Sequence, residues 1–201
     1  MIINYGEKEL AYIKNKDAKL KAFIDKFGFI TIEISNNIYA DLVYNIIGQM
    51  LSKKAASTIS NRFVALVKEV NPEMVVKISN DEIKKCGLSN NKTTAIKELS
   101  LKIINKEIVL DSLDALSDQD LICELKKIKG VGTWTAEMIA TFTLGRTNIF
   151  SYDDVALKNG IIYVHGYKTL SKKRFERMRK LYSPYCTIAA LYYYQVNDMR
   201  D

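Results

Sequence analysis

Residues that interrupt helices are rare in this chain, and that rarity narrows the folds open to it. Only two prolines and nine glycines occur among its 201 residues, so long helices are permitted along most of its length. Apolar residues recur at helical spacing in one segment after another, and the sequence contains no internal repeat, low-complexity tract or flexible linker. We therefore predict a compact, all-α fold.

Capping residues and apolar spacing set the bounds of the expected helices. Residues 8–27 are predicted to form one helix. Residues 29–34 alternate and are rich in β-branched side chains, which predicts a short extended segment without a strand partner. The pair Asn71-Pro72 is predicted to end a helix. Further helices are predicted from the cap at 35–37 to about 50, from 52 to 71, and over 80–87, 89–106, 117–128, 133–144, 154–163, 171–182 and 184–198.

The charge balance favours a polyanionic partner. Thirty basic residues against 23 acidic ones give a net charge of +7 and a pI near 9.1, although a lysine surplus is also common in proteins that are merely soluble. No run approaches the ~18 apolar residues that span a bilayer, and the N-terminus lacks the basic start and apolar core of a signal peptide. We expect a cytoplasmic protein, nucleoid-associated if bacterial, with no membrane partner.

Three cysteines, Cys86, Cys123 and Cys186, are odd in number and far apart in the sequence. This pattern argues against a disulfide scaffold and predicts free thiols in a reducing compartment. The same spacing cannot provide a closely spaced four-cysteine loop for an iron–sulfur cluster, so no such cluster is expected.

The stretch Gly130-Val131-Gly132 separates two predicted helices and can form a tight turn, with Thr133 as a cap for the helix that follows. Such a turn presents backbone N–H groups and the positive end of a helix dipole, which both favour an anion such as a nucleic-acid phosphate. Taken alone, two glycines in this spacing are more often an ordinary start of a helix. The later pair Asp153-Asp154 is likewise compatible with a simple N-cap.

Three segments taken together resemble the helix-hairpin-helix (HhH-GPD) DNA glycosylases, in particular the branch that acts on alkylated bases, the 3-methyladenine type II glycosylases. One segment runs from the hairpin to the acidic pair, the second is Ile-Ile-Gly-Gln-Met-Leu-Ser at 46–52, and the third, at 87–96, begins Gly-Leu-Ser-Asn-Asn-Lys. They follow the family's order over roughly residues 38–197. Lys129 replaces the usual proline, and Met50 replaces the usual second glutamine. The hairpin and acidic residues in register are Leu125, Gly130, Val131, Gly132, Trp134, Thr135, Ala136, Phe150, Asp153 and Asp154.

The resemblance implies a two-lobed helix-hairpin-helix fold with the active cleft between the lobes, in a single glycosylase unit. One lobe would combine residues 1–37 with 160–201, and the other would hold residues 38–159 with the hairpin at 118–144. We expect a monomer whose partner is double-stranded DNA containing damaged bases. No cofactor is required, but the resemblance implies that a Na⁺ or K⁺ ion can be held at the hairpin by the main-chain carbonyls of Lys126, Ile128 and Val131.

The family's chemistry falls on few residues. A glycosylase must rotate the nucleotide out of the duplex to reach the glycosidic carbon, and cleavage passes through a sugar with oxocarbenium character. By resemblance, Asp154 stabilises that sugar and orients the attacking water, with Asp153 as its helix-capping neighbour. Trp134 stands where strand-cutting relatives carry a Schiff-base lysine, which implies a monofunctional enzyme. Its substrates would be alkylated purines, 3-methyladenine and, as a further candidate, 7-methylguanine.

The remaining matched positions imply contacts with DNA and with the flipped base. Met50 would fill the gap left in the duplex, and Trp134 would wall the pocket and attract a cationic base. Ordinary core packing is the alternative for both residues, and His165 is expected to be a surface or packing residue. The substrate-binding residues would be Trp134, Met138, Tyr194 and Asp153, and the DNA-binding residues would be Gln49, Met50, Lys127, Lys129, Gly130, Val131, Gly132 and Thr133.

Two other functions are compatible with these residues. One is a glycosylase for another lesion, such as an oxidised, deaminated or mismatched base, which Trp134 does not exclude. The other is a non-catalytic helix-hairpin-helix module that only holds DNA, and such a module would have no need of Asp154.

Overall fold

The computed structural model describes residues 2–199, and the regular structure in that part of the chain is helical, which confirms the all-α prediction. Extended backbone pairs at one point among these residues, an antiparallel bridge between Ile2 and Glu33, beside which the Ile3 N–H donates to the Ile32 carbonyl at 2.9 Å. The extended segment 29–34 therefore has a partner, contrary to prediction, because the run before the first helix is too brief to show alternation. None of the described helices is both long and apolar enough to cross a lipid bilayer.

The helices mostly begin at polar caps. The side chains of Ser52, Ser89, Ser117 and Ser171 each accept a backbone N–H of the following first turn, at helix starts that the sequence predicted. The α-helices of the described residues are α1 Glu7–Lys16, α2 Ala18–Phe27, α3 Ile38–Gly48, α4 Lys53–Val67, α5 Pro72–Lys77, α6 Asn80–Lys85, α7 Asn90–Ile104, α8 Asp118–Leu125, α9 Thr133–Met138, α10 Val155–His165, α11 Lys172–Tyr182 and α12 Cys186–Asp198, with a 3₁₀ helix at Leu110–Ala115 and a π-helix at Ile139–Thr143.

Two predicted helices differ from the structure because a new helix begins where the sequence showed none. The single helix predicted over 8–27 is α1 and α2, interrupted at Asp17, whose carboxylate accepts the N–H groups of Lys19 and Leu20 as the N-cap of α2. Apolar spacing continues across this break and hides it. Pro72, predicted to end a helix, also opens α5 at a position where the N–H that proline lacks would have no partner.

The chain divides into two compact units. The hairpin unit is Ser35–Ile139, and the terminal unit combines the described residues up to Ile34 with those from Ala140 onward. The sequence placed the second boundary near residue 159, whereas the chain changes unit within the predicted helix 133–144, which is α9 followed by the π-helix. Residues 140–159 fall in the terminal unit because side chains such as Phe150 and Leu157 are buried in its core.

The hairpin unit is organised around α7, which packs against α3, α5 and α6. Burial of a large apolar side chain contributes about 1.5–3 kcal/mol, so this core is the main source of stability for the turns at its surface. The large apolar side chains of this core that are no more than 1% exposed include Leu42, Val43, Ile46, Ile47, Phe63, Val67, Val75, Ile83, Ile96, Leu121 and Leu125.

The terminal unit is centred on α12, which is buried along Cys186–Tyr193. Helices α1, α2, α10 and α11 all pack against it. The approach of α10 is closest at Gly160, where an added Cβ would lie 2.1 Å from the carbonyl oxygen of Tyr193. Only glycine permits this packing, because the obstacle is backbone and not a movable side chain.

Candidate active site and nucleic-acid interface

A tight turn joins α8 to α9 and contains the predicted phosphate-binding residues. Gly130 has a φ of +86°, a left-handed conformation that residues with a Cβ rarely adopt. Val131 is buried, and its N–H donates to the Ile128 carbonyl at 3.0 Å. Gly132, not Thr133 as predicted, is the N-cap of α9, because Thr133 already lies in the first helical turn. Within residues 2–199 no side chain caps this helix, so its first N–H groups can meet an anion.

Two lysines next to the turn form ion pairs. Lys127 Nζ lies 2.6 Å from Glu124 Oε1, and Lys129 Nζ lies 2.9 Å from Glu98 Oε1. Both pairs are solvent-exposed, and such pairs contribute only about 0–1 kcal/mol to stability. Either lysine can therefore exchange its carboxylate partner for a DNA phosphate at little cost.

The turn after α3 exposes Met50. This residue has a φ of +58°, and its side chain is fully exposed, with a relative accessibility of 101%. Core packing, the alternative for Met50, is therefore excluded. A non-glycine residue in the left-handed region carries a cost of about 1–3 kcal/mol, and an apolar side chain in water adds to it. The left-handed backbone and the exposed side chain of Met50 therefore do not contribute to the stability of the fold.

Gln49, the residue before it, is bonded to the hairpin. Its Nε2 donates to the Gly130 carbonyl at 2.7 Å. The contact of Gln49 with the distorted duplex stays a prediction. Its main-chain carbonyl accepts from Lys92 Nζ at 2.6 Å, and the same ammonium donates to the Ile47 carbonyl at 2.9 Å. The sequence assigned Lys92 no role, because 43 residues separate it from Gln49 and no local pattern reveals the contact.

The predicted catalytic carboxylate lies at the start of α10. Asp154 is 6% exposed, and its Oδ1 accepts the Leu157 N–H at 2.8 Å, which makes it the N-cap of the helix. The prediction that Asp153 is the capping residue is wrong, since Asp153 is exposed and precedes the cap. A buried carboxylate at the positive end of a helix can stabilise positive charge that develops beside it.

Three successive tyrosines on α12 have different surroundings. Tyr192 is fully buried and donates to the Gly28 carbonyl at 2.9 Å, and Tyr193 is fully buried in a polar network. Tyr194 is half-buried, with its ring centroid 6.1 Å from that of Phe142. Of the three, Tyr194 is therefore the one that can line a pocket.

The network around Tyr193 also explains the single histidine. The hydroxyls of Tyr193 and Tyr182 lie 2.6 Å apart, and Tyr182 donates to the carboxylate of Asp17. His165 Nε2 lies 2.9 Å from the Tyr193 hydroxyl and 3.3 Å from Asp17 Oδ2. The side chain of His165 is only 10% exposed. Of the two expected roles, surface residue and packing residue, His165 therefore has the second.

Comparison with known protein families shows what kind of protein carries these elements. Residues 43–184 match the family described as HhH-GPD superfamily base excision DNA repair protein. The chain belongs to the HhH-GPD superfamily. The matched region contains the Met50 turn, the hairpin and the pair Asp153-Asp154, so the resemblance found in the sequence is confirmed.

Individual HhH-GPD relatives resemble the chain over most of its length. The alkylbase DNA glycosidase-like protein mag2 of Schizosaccharomyces pombe is 32% identical over 95% of this chain and 92% of its own length. The crystal structure of a DNA-3-methyladenine glycosidase from Bacillus halodurans gives a TM-score of 0.86 at 30% identity, covering 98% of this chain and 92% of that one. A 3-methyladenine DNA glycosylase of S. pombe in complex with abasic DNA gives a TM-score of 0.82 at 27% identity, covering 94% and 95% of the two chains.

In this HhH-GPD chain, Trp134 and Met138 are one turn apart on α9. Trp134 is 40% exposed, so it is not the buried core tryptophan of the alternative interpretation, whereas Met138 is only 8% exposed. Part of the indole ring of Trp134 therefore faces solvent. An indole has no amine that could form a Schiff base with a sugar.

The predicted site residues divide between the two units. Asp153, Asp154 and Tyr194 belong to the terminal unit, and the other predicted residues belong to the hairpin unit. Within the hairpin unit, the hydrogen bond from Gln49 to Gly130 joins the turn after α3 to the turn between α8 and α9. In the described part of the chain, no group of three or more histidine, cysteine or acidic side chains could hold a metal ion.

Proposed function

We propose that this chain is a monofunctional DNA glycosylase of base excision repair, which acts as a monomer on double-stranded DNA. It releases alkylated purines, with 3-methyladenine as the main substrate and 7-methylguanine as a second. The names of the relatives from S. pombe and B. halodurans support this substrate class. The observation that carries the proposal is Asp154, a carboxylate 6% exposed at the positive end of a helix. A protein that only held DNA could cap α10 with a serine and would gain nothing from a buried charge.

Binding starts at the hairpin. Backbone N–H groups of residues 129–133, other than that of Val131, bind phosphates, and Lys127 and Lys129 exchange their carboxylate partners for the DNA backbone. The damaged nucleotide rotates out of the stack, and the exposed side chain of Met50 enters the vacated space. Insertion of an apolar side chain offsets part of the unstacking cost, which is a few kcal/mol per base step.

Cleavage breaks the bond between C1′ and the base nitrogen. The electron pair leaves with the base, so a methylated purine that carries a positive charge departs as a neutral molecule without a general acid. The charge of Asp154 stabilises the oxocarbenium-like sugar, and its carboxylate orients the water whose oxygen bonds to C1′. The proton lost by that water passes to the carboxylate. The products are the free base and abasic DNA.

Trp134 supports both the reaction type and the substrate class. Because it offers no amine, the sugar is hydrolysed and the DNA strand stays intact. The electron-rich face of an indole attracts a cationic base, and such a contact is worth about 0.5–2 kcal/mol. Met138 of the hairpin unit and Tyr194 of the terminal unit are the other proposed substrate-binding residues on α9 and α12.

A monovalent cation, Na⁺ or K⁺, fits the donors of the hairpin. The main-chain carbonyls of Lys126, Ile128 and Val131 are hard oxygen ligands of the kind that such ions accept. The Ile128 carbonyl accepts the Val131 N–H at 3.0 Å and retains a second lone pair. A cation held by these carbonyls would supply positive charge next to the phosphate-binding turn.

Removal of the charge of Asp154 tests the proposal. Asparagine caps helices about as well as aspartate, so Asp154→Asn keeps the fold, and we expect base release from methylated DNA to fall at least about 100-fold. Asp17→Asn is the matched control, because Asp17 is also a buried N-cap of the terminal unit. Its folded molecules should release bases within about twofold of the wild-type rate. The freed bases are identified by mass.

Three results would change this assignment. Full activity of Asp154→Asn would show that Asp154 is only a cap. Release of an oxidised or mismatched base from single-lesion duplexes, without release of methylated purines, would keep the enzyme class and change the lesion. Binding of abasic DNA without release of any base would favour the second candidate, a non-catalytic helix-hairpin-helix module. In such a module, Asp154 would serve only as the N-cap of α10.

A further inference from the structure

Helix α7 carries two lysines whose ammonium groups are bonded to main-chain carbonyls. Lys92 and Lys97 are both half-buried, and burial lowers the pKa of each. Lys92 donates to the Ile47 and Gln49 carbonyls at 2.9 and 2.6 Å. Lys97 donates to the carbonyls of Val75, Val76 and Ile78 at 3.1, 2.9 and 2.5 Å.

Each lysine stabilises the end of another helix. The last carbonyls of a helix have no partner within it, and an ammonium placed there satisfies them and complements the helix dipole. Lys97 does this for α5, and Lys92 does it for α3. The two contacts have the same chemistry and lie on the same helix, but they hold different segments.

The segment held by Lys92 is the turn that exposes Met50. Gln49 leaves the helical conformation, with φ −53° and ψ 132°, and its carbonyl points to Lys92. The side chain of the same residue donates to Gly130 in the hairpin. Gln49 is therefore fixed at both its main chain and its side chain, directly before Met50 takes its left-handed conformation. Such a conformation persists only where surrounding contacts determine it.

We propose that Lys92 is a positioning residue, which holds residues 48–51 against the hairpin so that Met50 projects toward bound DNA. The inference rests on the proposed binding of DNA and insertion of Met50. It assigns a task to the lysine of the Gly-Leu-Ser-Asn-Asn-Lys segment. Loss of the ammonium frees the carbonyl of Gln49. The turn then samples conformations in which Gln49 is not bonded to the hairpin and Met50 does not project toward the DNA.

Fluorescence of 2-aminopurine tests this directly. The base is placed beside a tetrahydrofuran abasic site in a duplex, where its emission rises when insertion disturbs the stack. We expect the wild type to raise the emission and Met50→Ala to abolish the rise. Lys92→Met should lose more than half of it and bind this duplex about tenfold more weakly.

Lys97→Met is the matched control. It removes the same charge from the same helix and leaves carbonyls of α5 unsatisfied, so it should lower the melting temperature as Lys92→Met does while it retains the emission rise. Affinity for undamaged duplex should change equally in both variants, since each loses one positive charge. If Lys92→Met does not fold, Lys92→Gln, which keeps one donor, should show a smaller loss of emission with the same contrast to Lys97→Met.

Equal emission from the Lys92 and Lys97 variants would overturn the inference and leave Lys92 a purely structural residue. An absence of any rise with the wild type would overturn it as well, because no insertion would then exist to be positioned. Base release from methylated DNA is measured in parallel. Its failure refutes the proposed glycosylase without affecting the emission, so the two proposals can fail separately.

Discussion

The two units place their energetically costly features in opposite locations. The hairpin unit carries them at its surface, where Met50, a residue with a side chain, is exposed in a left-handed conformation. The terminal unit carries them inside, where Asp17, Tyr182 and Tyr193 share a buried network. Substitutions in the surface turns should therefore change DNA binding more than stability. Substitutions inside the terminal unit should do the reverse.

The largest expected effect is on the packing of the terminal unit. Gly160→Ala would place a Cβ 2.1 Å from the Tyr193 carbonyl oxygen, and neither backbone can yield without separating α10 from α12. We expect the free energy of unfolding to fall by at least about 3 kcal/mol, measured by urea denaturation.

Gly48→Ala is the matched substitution in the hairpin unit. Its Cβ would meet that of Ala56 at 3.8 Å, an ordinary contact, at the last residue of α3. Removal of a helical glycine should leave stability unchanged or raise it by up to about 1 kcal/mol. Comparable losses in Gly160→Ala and Gly48→Ala would contradict the contrast between the units.

The next largest expected effect is on the free energy of unfolding, and it depends on pH through Asp17. Burial by itself would raise the pKa of Asp17, but hydrogen bonds from His165, Tyr182 and the Leu20 N–H outweigh it, and the pKa lies well below its usual range. A carboxyl whose pKa is depressed by folding stabilises the protein above its unfolded value, near pH 3.9, and loses that contribution as pH falls through the folded value. Asp17→Asn should therefore cost about 2 kcal/mol at pH 7.

The cost of Asp17→Asn should shrink as pH falls below about 4, because the Asp17 carboxyl of the unfolded wild-type chain then becomes protonated while that of the folded protein is still ionised. Urea unfolding of both proteins between pH 7 and pH 3 measures the difference. Asp25→Asn, which removes an exposed partner of Lys14 and Lys21, is the control and should leave unfolding nearly unchanged. A difference for Asp17→Asn that stayed constant over this range would show that the carboxylate does not titrate with folding.

The smallest expected effect on stability belongs to Gly132 in the hairpin. Its φ of −88° suits any residue, and an added Cβ would have no atom within 4 Å in the described structure. Gly132→Ala should therefore unfold within about 0.5 kcal/mol of wild type. We expect its affinity for duplex DNA to fall about tenfold, because the Cβ keeps a phosphate from the backbone N–H groups.

Gly166→Ala in the terminal unit should show the opposite behaviour. Gly166 ends α10 with a φ of +69°, so alanine there should cost about 1 kcal/mol of stability. Its affinity for DNA should not change. Filter binding and urea unfolding of this pair of glycine variants would show whether binding and stability are separated between the units.

Much of the fold could be predicted because it depends on local chemistry. Each serine that caps a helix accepts a backbone N–H from a residue a few positions later in the sequence. Because this contact is local, the caps Ser52, Ser89 and Ser117 could be recognised in the sequence. The break at Asp17 could not, because apolar spacing continues through it. Its cause includes a contact with Tyr182, which is 165 residues away.

For the site, the residue types could be predicted but not their conformations. A core methionine and an exposed one have the same sequence signature at Met50, and the structure separates them. The roles of Asp153 and Asp154 depend on the residue at which the helix begins. Two adjacent aspartates are equally good caps, so the sequence does not show which of them occupies that position. The bond of Gln49 to the hairpin could not be predicted, because the acceptor is the carbonyl of Gly130, 81 residues later.

The exposure of Met50 also determines how oxidants would reach this protein. Met138 and Met178 are buried, whereas the thioether of Met50 meets water on all sides. Peroxide would therefore convert Met50 to its sulfoxide well before those two. The product is polar and would no longer suit insertion between stacked bases, while the surrounding helices would remain folded. An oxidised molecule of this kind would still be counted as native by any measure of folding.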